Sequence, residues 1–212
     1  MKLRVALAQI NPTVGDLAGN AALISKYTKE AHAASADVVV FPEMVLTGYP
    51  VEDLAMRTSF RSASKNALAQ LVSTLEPSIV SVVGYLDESP TGAPQNRVAI
   101  VHGSKVVATY TKRHLPNYGV FDEFRNFVPG DSSLVIRVKG VDIGIAICED
   151  IWHSLADLAA RTPGLVLVPN GSPYERNKDD VRLALVQKRA KEVGAPLAYV
   201  NMTGGQDDLV FD

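Results

Sequence analysis

Three short stretches of the chain place a reactive side chain directly after an apolar segment. Glu43 follows residues 37–41, Lys112 follows residues 105–110, and Cys148 follows residues 141–147. Each segment has the pattern of a β-strand, and functional sites in open α/β sheets form where strands end. A carboxylate, an ammonium group and a thiol can serve as base, cation and nucleophile in acyl transfer. These three residues are therefore the first candidates for catalysis.

Cys148 has two interpretations. A lone cysteine is most often a small buried hydrophobic residue. On a strand-to-helix turn, however, the sulfur is exposed and lies near backbone N–H groups that stabilise an oxyanion. Glu149 and Asp150 follow directly, and they would raise the pKa of the thiol if they pointed at it. A reactive Cys148 therefore requires a cation and a base from elsewhere in the chain.

Lys112 and Glu43 are the residues that the sequence offers for these two roles. Taken alone, Lys112 is also compatible with a solvated charge beside Arg113, and Glu43 with a carboxylate that enters a helix after Pro42. No metal site is predicted, because the single cysteine and the four histidines show no ligand spacing. The sequence has neither a Gly-x-Ser-x-Gly motif nor a Walker loop.

The composition is that of a globular domain. Of the 212 residues, 47% are hydrophobic and 21% are charged, and the net charge is −2. These values exclude a disordered segment and argue against binding to nucleic acid through bulk positive charge. No apolar run approaches the roughly 20 residues of a membrane span, no targeting segment is visible, and one cysteine suits a reducing compartment. We expect a cytoplasmic protein that binds neither nucleic acid nor a membrane.

The hydrophobic pattern alternates between strands and helices, with hairpins in the middle of the chain. Helices are predicted after a cap at Asn20, over residues 53–75, and over residues 179–193 with Gly194 at the C-terminus. The strands are predicted over residues 3–10, 37–41, 79–86, 96–102, 105–110, 134–139, 141–147, 165–168 and 196–201, with hairpin turns at Gly103-Ser104 and Gly140. This order indicates a mixed sheet with helices on its outer side and an open face that packs on another sheet.

The three candidate residues also carry a family resemblance. Phe41-Pro42-Glu43, Lys112 and Cys148-Glu149-Asp150, in this order and at roughly these separations, resemble the Glu–Lys–Cys triad of the nitrilase, or carbon–nitrogen hydrolase, superfamily. The resemblance covers the whole chain. It implies an α/β fold, a four-layer α-β-β-α sandwich with mixed sheets.

Further motifs resemble one branch of that superfamily, the glutaminase domain of glutamine-dependent NAD(+) synthetases. They lie at residues 46–50, 52–54, 114–123, 127–130, 148–152, 170–174 and 204–211. The resemblance implies that residues 1–212 form a carbon–nitrogen hydrolase domain that is incomplete at its C-terminus. It also implies that the ATP-dependent synthetase domain of those enzymes is absent from this chain.

The resemblance implies a role for each motif residue. Cys148 is expected to attack the side-chain amide of glutamine, with Glu43 as general base and Lys112 as the cation that favours the thiolate and the oxyanion. The supporting residues are expected to be Glu123, for which a surface loop acid is an equal alternative, and Glu149, through its backbone N–H. The substrate-binding residues are expected to be Tyr49, Tyr118, Ser172 and Lys178, although core packing for Tyr118 and a turn for Ser172 are alternatives.

The resemblance also implies partners. L-glutamine is the expected substrate, an NAD(+) synthetase domain or subunit the expected recipient of ammonia, and a homo-oligomer the expected assembly. No cofactor is expected for the glutaminase part, whereas ATP and Mg belong to the synthetase part. Two alternatives remain: a free-standing amidase of the same superfamily that acts on another small amide, and a non-catalytic scaffold of this fold.

Overall fold

The computed structural model describes residues 2–176 and 178–212, and the side chains of residues 178–180 lie outside this description. The helices are α1 (Leu17–Ala33), α2 (Thr58–Val72), α3 (Glu123–Asn126), α4 (Ala156–Ala159) and α5 (Lys178–Val193). The strands are β1 (Val5–Leu7), β2 (Val38–Val40), β3 (Val80–Glu88), β4 (Pro94–His102), β5 (Lys105–Thr111), β6 (Leu134–Val138), β7 (Val141–Ile145), β8 (Leu165–Pro169), β9 (Leu197–Val200), β10 (Gly204–Gln206) and β11 (Leu209–Phe211).

The strands form two mixed sheets and a terminal hairpin. The first sheet has the order β1-β2-β3-β4-β5, in which β1, β2 and β3 are parallel and the following pairs are antiparallel. The second sheet has the order β6-β7-β8-β9, in which only the β6–β7 pair is antiparallel. Both predicted central hairpins are present, and β10 pairs with β11.

The two sheets pack face to face between layers of helices. Apolar side chains of both sheets form the central core, including Val40, Val82, Ile100, Ile145 and Leu167. Helices α1 and α2 cover the outer face of the first sheet, and α4 and α5 cover the outer face of the second. The predicted four-layer α-β-β-α sandwich is therefore confirmed. Strands buried on both faces explain the continuous apolar runs in the sequence.

The predicted cap at Asn20 is wrong. Helix α1 begins at Leu17, and the Asp16 carboxylate accepts a hydrogen bond from the Gly19 N–H at 2.9 Å. Asn20 lies one turn inside the helix and is buried, where its amide donates to the carbonyls of Thr13 and Leu46. Both residue types are good caps, but the Asn20 amide is used to hold the loop that follows Glu43.

The single helix predicted over residues 53–75 is also wrong. A 3-10 helix, Glu52–Met56, is separated from α2 by Arg57, whose backbone is extended with φ −80° and ψ 113°. The Arg61 guanidinium donates to the Ala55 carbonyl at 2.9 Å, which satisfies one of the backbone groups at this break. The hydrophobic pattern continues across the break, so it does not reveal where the helix begins.

Gly84 is required where β3 passes beneath the segment that carries Glu43. A Cβ atom at this position would lie 2.3 Å from the Met44 nitrogen and 2.8 Å from the Pro42 carbonyl oxygen. We expect Gly84→Ala to lower the free energy of unfolding by about 1–3 kcal/mol, as overpacking does, and to reduce activity by displacing Glu43. Urea denaturation and turnover would check this. Gly205→Ala, whose new Cβ would lie 3.5 Å from its nearest neighbour, is the control.

Candidate active site

Cys148 lies at a tight turn where the chain leaves the second sheet. It follows β7, and it begins the 3-10 helix Cys148–Trp152. Its φ angle is +40°, in the left-handed region that costs a non-glycine residue conformational energy. The residue is buried, and its side chain lines a cavity.

Asp150 fixes this turn to the end of β5 in the other sheet. Its carboxylate accepts hydrogen bonds from the Ile147 N–H at 2.8 Å, within the turn, and from the Tyr110 hydroxyl at 2.7 Å. It also accepts from the N–H groups of Arg113 and His114 at 3.0 and 2.9 Å. Burial raises the pKa of Asp150, but the hydrogen bonds with the His114 side chain, the Ile147 N–H and the Tyr110 hydroxyl outweigh it and keep the pKa below its usual range. Asp150 therefore sets the position of Cys148 relative to the lysine that follows β5.

Lys112 lies in the interior between two carboxylates. Its Nζ atom is 2.7 Å from Glu43 Oε1 and 2.7 Å from Glu123 Oε2, and the lysine is only 1% exposed. Glu43 and Glu123 are buried as well. The three charged groups are thus shielded from water. In the protein interior the attraction between opposite charges is stronger than in water. A solvated lysine at a strand end and a surface loop acid at position 123 are both excluded by this burial.

The Glu43 carboxylate is held on both oxygens. Oε1 accepts from the Asn96 amide at 2.7 Å as well as from Lys112, and Oε2 accepts from the Gly171 N–H at 2.9 Å. The Glu43 N–H donates to the Asn170 carbonyl at 3.2 Å. These partners come from β4, the end of β5 and the loop after β8, so the carboxylate is fixed by both sheets. Such a group is pre-organised for proton transfer.

The electrostatics keep the lysine charged and the thiol protonated at rest. Burial disfavours the Lys112 ammonium, but Glu123 and Glu43 overcome this and raise its pKa well above the usual range. Burial and Glu43 raise the pKa of Cys148, against the lowering effect of Lys112 and the Gly171 N–H. Lys112 alone therefore does not make the thiolate the resting form. Proton transfer to a base must accompany attack by the sulfur.

A cavity of about 490 Å³ opens onto Cys148. The Tyr118 hydroxyl donates to Glu149 Oε2 at 2.7 Å within this cavity, and Ser172 contributes to its wall. The other lining residues are Phe121, Trp152, His153, Glu175, Arg176 and Val181. The cavity thus presents a carboxylate, a guanidinium group and aromatic rings near the thiol. These groups suit a small polar substrate that carries charges of both signs.

Not all predicted substrate-binding residues lie in this cavity. Tyr118 and Ser172 line it, and the Ser172 N–H is held by the Asn201 side chain at 2.8 Å. Tyr49 is instead buried, with its ring against Gly171 and near the carboxylates of Glu123 and Glu43, and it lines a neighbouring cavity of about 420 Å³. The side chain of Lys178 lies outside the described residues.

Four residues contribute to the site in ways that were not predicted from the sequence. Asn96 and the Gly171 N–H hold Glu43, and the rings of His114 and His153 stack beside the cavity. Asn96 begins the strand predicted over residues 96–102, and an amide side chain in such an apolar strand is the signal that could have identified it. The Gly171 N–H is a backbone group, so no residue type marks it. No group of residues suited to holding a metal ion occurs in the part of the chain that the structure describes.

Glu123 gives stability a measurable pH dependence. Burial raises its pKa to about 7, in spite of the opposing charge of Lys112. Between its unfolded pKa, near 4.5, and about 7 the native state binds more protons than the unfolded state, so its contribution to stability falls as pH rises. We expect Glu123→Gln to reduce this fall. Urea denaturation from pH 4.5 to 8, with the exposed Asp131→Asn variant as control, would measure it. An identical pH slope in the wild type and the Glu123 variant would contradict it.

The carbon–nitrogen hydrolase family matches residues 4–211, and the chain belongs to this family. A glutamine-dependent NAD(+) synthetase of Xylella fastidiosa is 46% identical over 99% of this chain, which spans 39% of that protein. The glutamine-dependent NAD(+) synthetase structure from Acinetobacter baumannii has a TM-score of 0.94 at 38% identity and is matched over 40% of its length by 99% of this chain.

Similarity extends to amidases of the same superfamily. A mutant of the Nesterenkonia sp. AN1 amidase, with the acetamide moiety of fluoroacetamide added covalently at its active-site cysteine, has a TM-score of 0.83. It is 26% identical over 99% of this chain and 80% of its own.

Among the described residues, no helix is long and apolar enough to cross a membrane.

Proposed function

We propose that this chain is the glutaminase domain of a glutamine-dependent NAD(+) synthetase. The observation that carries the proposal is a buried Glu43–Lys112 pair beside a turn-borne cysteine that faces a charged cavity. The chain spans about two fifths of the synthetases that it matches. The sequence identity between these synthetases and this chain supports glutamine as the source of nitrogen.

The first half of the reaction forms a thioester. As Cys148 attacks the side-chain carbonyl carbon of glutamine, the thiol proton passes to Glu43 and a sulfur–carbon bond forms. The oxyanion is stabilised by the Lys112 ammonium and by the N–H of Glu149, the residue after the nucleophile. When the tetrahedral intermediate collapses, the carbon–nitrogen bond breaks and Glu43 returns the proton to the leaving amine, which departs as ammonia.

The second half releases glutamate. Glu43 accepts a proton from water, whose oxygen attacks the thioester carbon, and the same two groups stabilise the oxyanion. The sulfur then leaves, and it recovers its proton from Glu43. One carboxylate therefore acts twice as base and twice as acid, and Lys112 remains protonated throughout. Because Glu43 and Lys112 are buried, bulk water does not surround the pair.

The cavity supplies partners for both charges of the glutamine head group. Glu149 carries a carboxylate beside Tyr118, and we assign it to the α-ammonium group. Arg176 also lines the cavity, and we assign it to the α-carboxylate together with Ser172. Lys178 remains a predicted alternative for the carboxylate. Recognition by paired charges would discriminate strongly against uncharged amides, because their binding leaves these groups without partners.

The remaining partners follow from the proposal. Ammonia would be consumed by a synthetase domain or subunit that binds ATP and Mg, neither of which this domain requires. A homo-oligomer, a cytoplasmic location, and no binding to nucleic acid or a membrane remain predictions. Residues 1–212 would contain the whole Glu43–Lys112–Cys148 centre.

A comparison of substrates tests the proposal. Ammonia release would be measured with L-glutamine, L-asparagine and propionamide at equal concentration. We expect L-glutamine to be preferred by at least about 100-fold in kcat/KM, since unpaired polar groups in a site penalise the wrong substrate heavily. Preference for propionamide would instead support a free-standing amidase, which the similarity to the Nesterenkonia enzyme favours. A folded protein that releases no ammonia from any amide would contradict both, and would support the scaffold alternative.

A further inference from the structure

Two histidines stack beside the Cys148 cavity and have no part in the chemistry above. The ring centroids of His114 and His153 are 3.9 Å apart, and the planes are inclined by 9°. Each ring faces a carboxylate of the turn. His114 Nδ1 lies 3.1 Å from Asp150 Oδ1, and His153 Nε2 lies 3.7 Å from Glu149 Oε1.

The two histidines differ in what their protonation would affect. His114 faces Asp150, which is buried and holds the turn. His153 has half of its side chain exposed, lines the cavity, and faces Glu149, which lines the same cavity. Protonation of His153 would therefore change the net charge of the cavity that a substrate enters. Protonation of His114 would instead act on Asp150, which holds the turn in place.

We propose that His153 is a positioning residue that controls how much of the Glu149 charge is available to the ammonium group of the substrate, so that substrate affinity depends on pH. This inference rests on the proposed function, in which Glu149 pairs with the α-ammonium group of glutamine. When His153 is neutral, the carboxylate attracts that ammonium group. When His153 is protonated, it forms an ion pair with Glu149 and repels the ammonium group. Protonation of His153 and binding of glutamine then oppose each other by linkage.

Other charged groups surround this pair on the neighbouring segments. They are Lys112 after β5, Arg113 with its partner Asp157 of α4, Asp150 of the turn, Glu175 and Arg176 on the cavity wall, and Arg189 with Glu192 of α5. Histidine is the side chain that ordinarily changes charge between pH 5 and 8. Burial also raises the pKa of Glu149, so its own titration must be separated from that of His153.

A phenylalanine variant separates these two titrations. His153→Phe retains a ring to stack on His114 but accepts no proton, and it leaves Glu149 in place. KM and kcat for L-glutamine would be measured from pH 5.5 to 8.5 in the wild type, His153→Phe and His153→Gln. His102→Gln, an exposed histidine at the end of β4, is the matched control.

We expect the wild-type KM to rise at least about 5-fold towards pH 5.5, a typical coupling between two ligands. His153→Phe and His153→Gln should lose most of this rise while the pH profile of kcat is unchanged, and His102→Gln should behave as the wild type. For glutaramate, which is glutamine without its α-amino group, the wild-type KM should not rise at acidic pH.

Two results would overturn the inference alone. One is a rise of KM that persists in His153→Phe, because Glu149 itself would then be the titrating group. The other is the same rise with glutaramate, because the ammonium group would then not be involved. If the wild type releases no ammonia from glutamine at pH 8.5, the proposed function fails, and this inference fails with it.

Discussion

Replacement of Cys148 by alanine is expected to reduce glutamine hydrolysis by at least about 10⁴-fold, because loss of a nucleophile removes the covalent pathway altogether. The thiol is the group that forms the acyl bond, and the rest of the site holds charges that stabilise an oxyanion generated only by its attack. The fold should persist, because the substitution removes one sulfur atom at a cavity wall and Asp150 still ties the turn to β5.

Ammonia release and circular dichroism would check this prediction together. Cys148→Ser is the matched variant, since it retains a hydroxyl of similar size, and it should also lose nearly all activity because the hydroxyl is a weaker nucleophile. Turnover near the wild-type rate in a folded Cys148→Ala protein would exclude the cysteine from the reaction.

Replacement of Lys112 by methionine is expected to abolish activity and to destabilise the domain. Its Nζ atom is the positive charge between Glu43 and Glu123, each 2.7 Å away, and all three side chains are buried. Removal leaves two carboxylates facing each other without a counter-charge. Breaking a buried ion pair in this way typically costs about 3–5 kcal/mol. The pKa of Cys148 should rise further, because Lys112 is one of the groups that lower it.

Two measurements would check the Lys112 prediction. Urea denaturation gives the loss in the free energy of unfolding. The pH dependence of iodoacetamide labelling gives the direction in which the pKa of Cys148 changes. Lys105→Met, an exposed lysine at the other end of the same strand, is the control and should leave both unchanged. If Lys112→Met labels with the wild-type pH profile, the lysine does not stabilise the thiolate.

The centre of the site was accessible to sequence reasoning because its residues stand at strand ends. Glu43 follows β2, Lys112 follows β5, and Cys148 follows β7 by a short interval. An apolar strand followed by a reactive side chain is a local pattern that one sequence displays. The resemblance to the carbon–nitrogen hydrolases then supplied the catalytic roles of the three residues and the sandwich fold.

The surroundings of the site were less accessible because they depend on contacts between the sheets. Asn96 and Gly171 meet Glu43 across 53 and 128 residues of sequence. Periodicity within one segment carries no information about such distances. The start of α1 was predicted wrongly for a related reason. Asn20 has a side chain that suits a helix cap, but it lies inside the helix and donates a hydrogen bond to the distant Leu46 carbonyl.

The motif correctly predicted that Tyr49 lies near the site, but it did not predict which residues the ring contacts. The resemblance placed it in the pocket for glutamine, whereas in the structure its ring lies against Gly171 and lines the neighbouring cavity. It is not among the residues that line the cavity at Cys148. The side on which a ring packs depends on the neighbouring loops, and the motif alone does not specify it.

The proposed mechanism requires that Cys148 form a covalent glutamyl thioester, with Glu43 and Lys112 supporting the reaction. The most direct measurement is mass spectrometry of the protein, quenched in acid milliseconds after mixing with L-glutamine, followed by mapping of the modified peptide. We predict a mass gain of one glutamyl group on Cys148, absent in Cys148→Ala and formed much more slowly in Glu43→Gln. Rapid release of ammonia with no adduct on Cys148, or an adduct on another residue, would contradict the account.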